Sequence, residues 1–425
     1  MSSVLASDTA MAATASVDDR AALRRNLVRL QRTSRWKAIA LIAPLFVFLL
    51  LVFVVPIALL LTRAVDNREV AAVLPRTAIA MKGWTGSSEP NAAQVEALVA
   101  DLRASPREAV AEVAKRLNYY QSGLRSMMLK TARELNSDDR TSTAGIARLT
   151  EIDERWAEPA TWQVIQRALP AHTDFYLLAS VDLKRDVDGA IVAANDDSAI
   201  YRDVIVRTFA ISAAVTLICL LLGYPLAYWI ATAPPRTART LLLLVLLPFW
   251  TSLLVRTTAW VVVLQGGGVV NSVLGWLGLV DPAHPLELIH NRIGVLIAMT
   301  HILLPFMVLP IYSVMKSIPP NYMRAAASLG APPLPAFARV YLPLSLPGVS
   351  AGCLLVFILA LGYYITPALV GGPQDQMLSY FIAYFASQVT NWGMAAALSA
   401  TLLVLVLLLY ALYHRIVGID KLRMG

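Results

Sequence analysis

Residues 38–62 read AIALIAPLFVFLLLVFVVPIALLLT, 25 consecutive positions without a charged side chain. Wound as an α-helix at 1.5 Å per residue, the run extends about 37 Å, enough to cross a hydrocarbon core of ~30 Å with some tilt. The segment is expected to span a bilayer. The polar stretch before it, residues 1–37, lacks the short apolar core and small-residue cleavage site of a signal peptide, so the helix is expected to stay as a retained anchor.

Five more spans follow at 208–230, 240–264, 294–315, 349–370 and 393–413, the second of these carrying one charge at Arg256. The whole chain agrees with this reading. Its 425 residues are 57% hydrophobic and only 15% charged, with a mean hydropathy of +0.60, which excludes an ordinary soluble protein. The expected fold class is an all-α integral membrane protein with six transmembrane helices.

Lys and Arg in the tails and short loops set the orientation. Arg20, Arg24, Arg25, Arg29, Arg32, Arg35 and Lys37 precede the first span, Arg236 and Arg239 lie between the second and third, Lys316, Arg324 and Arg339 between the fourth and fifth, and Arg415, Lys421 and Arg423 close the chain. The opposite loops hold only Arg292 in 265–292 and no Lys or Arg in 371–392. Both termini are expected to be cytoplasmic. The formal net charge of +8 then faces an anionic inner leaflet and calls for no nucleic acid. Cys219 and Cys353 both fall in expected spans, so a structural disulfide is not expected.

Residues 63–203 have soluble composition and are expected to form a mainly helical periplasmic insertion. Asn91 with Gln94, and Ser105-Pro106-Arg107-Glu108, read as helix starts. Behind them Val95, Leu98, Val99 and Leu102, then Val110, Val113, Leu117, Leu124, Met127 and Met128, recur at the spacing of buried stripes. Val187-Asp188-Gly189-Ala190 suits a turn between short strands. The acidic pairs Asp138-Asp139 and Asp196-Asp197 sit in no calcium-loop pattern and read as solvated surface.

Catalytic chemistry is hard to find. There is no Gly-Lys pair, hence no phosphate loop for ATP, and the histidines at 172, 284, 290, 301 and 414 show no metal-ligand spacing. Gly348-Val349-Ser350-Ala351-Gly352 matches G-x-S-x-G, but it opens a membrane span instead of a strand-to-helix turn and reads as small residues for helix packing. No cofactor is expected on this chain.

Between the fourth and fifth spans lies 321–348, NYMRAAASLGAPPLPAFARVYLPLSLPG. Pro319 and Pro320 can open a helix, Ala325 to Ala327 favour its interior, and Gly330 can end it through a positive φ. A second short helix through Ala336, Phe337, Ala338 and Val340 is expected to end before Pro343 and Pro347. Such a helix–turn–helix of small residues suits docking of another protein. The lesser alternative is an amphipathic connector on membrane lipid, with Arg324 and Arg339 facing phosphates.

This loop resembles the signature of ABC-importer permeases, E-A-A, three residues, G, nine residues, I-x-L-P. The chain has Arg324-Ala325-Ala326, Gly330, and Val340-Tyr341-Leu342-Pro343 at the same spacings. Arg324 replaces the usual Glu and reverses its charge, and Val340 replaces Ile. The resemblance covers about 203–417 and is closest to the spermidine/putrescine permease group. Four stretches carry that second likeness: Pro248-Phe249-Trp250-Thr251-Ser252 with Arg256, Asn271-Ser272-Val273-Leu274, Thr366-Pro367-Ala368-Leu369-Val370-Gly371-Gly372-Pro373, and Asn391-Trp392 with Ala396-Ala397-Leu398-Ser399.

The resemblance implies the type I ABC-importer permease fold in a bacterial inner membrane. It implies a second homologous permease, an ABC ATPase homodimer holding ATP and Mg, and a periplasmic solute-binding protein. It also implies import of polyamines or related small organic solutes by alternating access. ATPase coupling would fall to Arg324, Ala325, Ala326, Gly330, Val340, Leu342 and Pro343, within a cytoplasmic coupling loop at 317–345 of a permease core at 204–418, followed by a tail at 419–425.

Candidates for the substrate pathway are Arg256, costly in lipid, and the aromatic residues Trp250, Trp260, Tyr363 and Tyr364, with Asp375 as the nearest carboxylate. Packing, snorkelling and interfacial anchoring are the competing roles for these side chains. Acidic residues are scarce here: beyond Glu287 only Asp375 and Asp420 remain. The rival reading is a membrane sensor with a periplasmic ligand domain, which needs an output module that the dozen or so residues after Tyr413 do not supply.

Overall fold

The structure, a computed structural model, describes residues 37–417 except 85, 87, 138–144, 187–188, 196–198 and 282. The basic tail, the last eight residues, both acidic pairs and the Val187-Asp188 half of the expected turn lie outside the described residues. Among the described residues six helices are long and apolar enough to cross a membrane: Lys37–Thr62, Tyr201–Thr232, Leu253–Trp276, Arg292–Ser317, Pro333–Gly362 and Trp392–Arg415, here spans 1 to 6.

The chain divides into two compact units, Met1–Leu61 and Thr62–Gly425. In the first, span 1 contains a π turn at Leu50–Val54, where the Val55 N–H reaches back to the Leu50 carbonyl. Pro56 follows at once. A proline ring collides with the carbonyl four residues back, and the wider π turn makes room for it without breaking the helix.

In the second unit, the segment between spans 1 and 2 builds its own helical core. Val95, Leu98, Leu102, Val110, Val113, Leu117, Leu124, Met127 and Met128 are all buried there, around Trp156 and Trp162. Asn91 and Gln94 form a reciprocal capping box, each side chain bonded to the other's backbone N–H at 2.9 Å. Ser105 does not cap as expected. Its N–H closes the preceding helix on Asp101 and its hydroxyl donates to the Val73 carbonyl, so the next helix starts at Arg107 with Pro106 ahead of it.

The two short strands, β1 (Leu183–Arg185) and β2 (Ile191–Ala193), pair antiparallel. The hairpin is fixed to span 2 by Asp182, whose carboxylate accepts the N–H groups of Tyr201 at 3.0 Å and Arg202 at 2.6 Å. Two donors left open by the first turn of span 2 are thus satisfied from a distant residue.

Spans 2, 4 and 5 form the membrane core. Small residues permit their close approach. A Cβ on Gly348 would lie 2.9 Å from Val314 Cβ and 3.0 Å from the Pro310 carbonyl, and one on Gly352 would lie 3.0 Å from Met307 Sδ. These two glycines, one helical turn apart, seat span 5 on span 4, the packing role expected of the G-x-S-x-G letters. The Ser350 hydroxyl donates to the Pro347 carbonyl within its own helix.

Two expected spans differ in outline. The run 240–264 is not one helix: Pro235–Leu246 passes into a 3₁₀ turn at Leu247–Trp250, and Leu253–Leu264 begins anew with the Ser252 hydroxyl capping Val255 N–H. Pro248 cannot donate into the first helix, and a second start is available four residues on. Likewise 349–370 breaks after Gly362 and resumes at Ile365–Val370. Continued winding would set Pro367 against the Tyr363 carbonyl, which instead accepts the Ser379 hydroxyl at 2.6 Å.

At its other end span 5 does not stop before Pro343 and Pro347. A π turn at Phe337–Tyr341, with Leu342 N–H bonded to the Phe337 carbonyl, carries the helix through Pro343. The device matches that of span 1.

Candidate functional site

The loop between spans 4 and 5 contains the helix Asn321–Ser328, which has no buried residue. Met323 is its main tie to the core. Tyr322 and Leu329 stay exposed, as does Leu334 at the next helix start, and Leu329 is 89% exposed. A two-turn helix gains little stability from propensity alone, so such an apolar, open face is suited to cover by a partner.

Gly330 ends this helix at φ +82. The Ala331 N–H bonds the Ala326 carbonyl at 3.1 Å and the Gly330 N–H bonds the Ala327 carbonyl at 3.0 Å, the two bonds of a Schellman turn. The chain then enters Pro333–Ala336, continuous with span 5. Ala325 and Arg324 are exposed and Ala326 half-buried. Val340 is half-buried, while Leu342 and Pro343 are exposed on the π-turned entry to span 5.

An aromatic cluster that the motif does not name holds this joint. Phe337 and Tyr341 stack at 5.7 Å, and Tyr228 of span 2 meets both edge-on, at 5.6 and 5.2 Å. Tyr224, one turn earlier, bonds Ser345 at 3.0 Å. The i, i+4 spacing of Phe337 and Tyr341 was a signal available in the sequence.

A second set of polar groups lies within the membrane helices. Trp260 donates its indole N–H to His301 Nδ1 at 3.1 Å, with the rings edge to face. Arg256 occupies the first turn of Leu253–Leu264, not the middle of a span, and bonds the Thr251 carbonyl at 2.9 Å. It lies within electrostatic reach of His301 and Tyr363. Thr257 and Thr366 face each other at 3.3 Å.

Trp260 thus bonds His301 and Arg256 lies within electrostatic reach of it, while Tyr363 is linked to the group through Arg256. Sequence reasoning passed over His301 although an ionisable side chain inside a span is itself a signal. Trp250, in the 3₁₀ turn, is 76% exposed, and Tyr364 is also exposed. Asp375 is buried and engaged: Arg292 Nε bonds it at 3.1 Å, and its second oxygen accepts the Gly372 N–H at 3.2 Å. Its neighbour Gln374 accepts a bond from Arg207 at 2.7 Å.

The family described as binding-protein-dependent transport system inner membrane component matches residues 223–418. The chain is 35% identical over 216 residues to the spermidine/putrescine transport system permease protein PotB of Escherichia coli (strain K12), covering 51% of this chain and 78% of the relative. The PotB protein of Haemophilus influenzae is 37% identical over 216 residues, covering 51% of this chain and 75% of the relative. A solved bacterial alginate ABC transporter, in complex with an alginate pentasaccharide-bound periplasmic protein, matches 51% of this chain and 77% of its own at 19% identity and a TM-score of 0.43. The transport reading therefore prevails over the sensor reading, and the chain belongs to the binding-protein-dependent transport system inner membrane components, the multi-pass permease subunits of ABC importers.

Proposed function

We propose that this permease imports polyamines or related small organic solutes, driven by a separate ABC ATPase homodimer that holds ATP and Mg. A second homologous permease and a periplasmic solute-binding protein would complete the complex. The observation that carries the coupling reading is the Asn321–Ser328 helix, which buries no residue of its own yet runs through a Schellman turn into span 5. The aromatic cluster of Phe337, Tyr341 and Tyr228 ties the same joint to span 2.

In this reading the helix sits in a cleft of the ATPase and moves as the nucleotide dimer closes and opens. The push passes into two of the three helices of the membrane core. Ala325, Ala326 and Gly330 keep the helix thin and its exit sharp. Arg324, exposed and basic, would meet an acidic or neutral part of that cleft.

The Asn321–Ser328 loop would face the cytoplasm, with both termini, and the insertion would face the periplasm. Support comes from the Lys and Arg distribution and from geometry: the insertion caps the start of span 2, whereas the loop packs near its end. Arg256, Trp260, His301 and Tyr363 are the proposed lining of the solute path. The polyamine class rests on the relatives named above.

Reconstitution with the ATPase, partner permease and binding protein tests this directly, through uptake of spermidine and putrescine beside a panel of amino acids. Co-purification of an ATPase, lost in Ala326→Arg, is expected. Retention of the ATPase by that variant contradicts the coupling assignment, and uptake of amino acids alone contradicts the substrate class.

A further inference from the structure

The insertion contains a cavity of about 590 Å³, within the size range of small-molecule sites. Part of its lining is apolar, with Tyr120 and Phe175 stacked at 4.0 Å and with Val164 and Leu178. The polar part of its lining is mostly basic: Arg167, Lys184 and Arg185, with His172 and, among the described residues, a single carboxylate, Asp174.

That carboxylate is committed. Asp174 pairs with Arg185 at 2.5 Å, and the hydrogen bonds and charge of the guanidinium hold its pKa below the usual carboxylate range. The pair is internally neutral. Lys184, by contrast, donates to the neutral side-chain oxygen of Asn195 at 2.5 Å. Its ammonium charge meets no carboxylate among the lining residues other than the one Arg185 holds.

We infer that this cavity binds a small amphipathic anion, its carboxylate or phosphate near Lys184 and its apolar body over Tyr120 and Phe175. The lining asks for two kinds of chemistry, and one molecule of that class satisfies both. A polyamine does not: its ammonium groups would meet Lys184, while the one carboxylate among the described lining residues is already held by Arg185. The site is therefore distinct from any polyamine path through the membrane helices, and it does not depend on that substrate assignment.

The walls are the connecting segments themselves. Val65 lies three residues beyond the end of span 1, and Thr173 N–H bonds its carbonyl at 2.9 Å. Lys184 and Arg185 belong to the hairpin whose Asp182 caps span 2.

The test uses the full chain in phosphatidylcholine nanodiscs, titrated calorimetrically with 4-phenylbutyrate, 8-phenyloctanoate and the size-matched 4-phenylbutylamine. The carboxylates are expected to bind saturably, at least tenfold more tightly than the amine. Lys184→Glu should lose that preference, and Val164→Trp, which fills the cavity from its apolar wall, should lose binding altogether. Thermal unfolding identifies any variant that fails to fold, and Lys184→Gln then serves as the milder change. Equal binding of the amine, no saturable binding, or binding indifferent to Val164→Trp overturns the proposal. Repeating the titration with phosphatidylglycerol nanodiscs separates the sources: suppression identifies a lipid headgroup as the anion, and unchanged affinity identifies a free solute.

Discussion

Gly393 at the start of span 6 lies against the ring of Tyr176 so closely that a Cβ there would fall 2.5 Å from Cδ2 and 2.8 Å from Cζ. The Arg116 guanidinium lies 3.7 Å from the centroid of the same ring. Arg116 is held in turn by Asn67, which bonds the Ala168 and Pro170 carbonyls. The insertion therefore meets span 6 at this ring, within a cluster that also holds Ala64, Ala179, Met394 and Leu398, and through the Ser180–Thr401 hydroxyl pair at 2.7 Å.

Gly393→Ala is expected to destabilise the chain by about 1–3 kcal/mol, the usual cost of overpacking. Tyr176 must shift, and the cation–π contact shifts with it. Thermal unfolding of the purified full chain measures the effect. A variant as stable as the parent shows that the ring has room to move.

Gly330 poses a different case, because a Cβ there meets nothing within 4 Å while φ is +82. The cost of a side chain is conformational, about 1 kcal/mol for Ala. Asn, which tolerates this backbone region, should cost less. Gly330→Asp is expected to abolish uptake while membrane insertion stays intact, since it alters the exit of the docking helix and adds a charge beside it. Normal uptake by that variant, measured in the reconstituted complex, removes Gly330 from the coupling joint.

These elements show what was legible beforehand and why. Spans 2, 4 and 6 were readable because a long apolar run in a bilayer has one solution. The Asn91–Gln94 box and the Gly330 turn were readable because their bonds are local. The expected spans 240–264 and 349–370 broke, at the turn holding Pro248 and after Gly362 ahead of Pro367, because apolar composition does not reveal where a helix restarts. Pro343 misled in the opposite direction, since a π turn absorbs a proline that would otherwise end a helix. His301, Tyr341 and Asp182 act through partners distant in sequence, and a single sequence does not display those pairings.

Gly348 and Ser350 separate the packing and nucleophile readings of one motif. Gly348→Ala places a methyl group 2.9 Å from Val314 Cβ and 3.0 Å from the backbone of span 4, where flexible side chains cannot yield. A loss of about 1–3 kcal/mol is expected, with less folded protein recovered. Ser350→Ala removes a bond within its own helix and a hydroxyl beside Tyr413 of span 6, and should change stability by about 1 kcal/mol or less, with uptake retained. Loss of uptake by a stable Ser350→Ala protein contradicts the packing role.

Asp375 was a candidate ligand for a cationic solute, yet its two oxygens serve Arg292 and the Gly372 N–H. Asp375→Asn keeps the shape and removes the charge. A destabilisation of about 1–3 kcal/mol is expected from the weakened charged bond and an ill-matched donor facing Arg292. The ratio of spermidine to amino-acid uptake should stay as in the parent. A selective loss of spermidine uptake at unchanged stability returns Asp375 to the solute path.

Arg256 is placed against the local electrostatics of its own helix. A cation in a first turn faces the positive end of the macrodipole and costs about 0.3–1 kcal/mol, which the Thr251 carbonyl at 2.9 Å partly offsets. Stability gives little reason for a guanidinium there, so its use is expected in transport. Nearby, His301 accepts the Trp260 N–H at Nδ1, which in the neutral ring leaves Nε2 to donate. The cluster thus offers several donors in fixed directions. Arg256→Lys keeps the charge but loses the planar fork, and is expected to lower uptake at least tenfold without a change in unfolding temperature. His301→Gln, which retains an acceptor for Trp260, should keep more activity than His301→Leu. If Arg256→Lys transports like the parent, the guanidinium is no more than a local anchor for Thr251, and the path runs elsewhere.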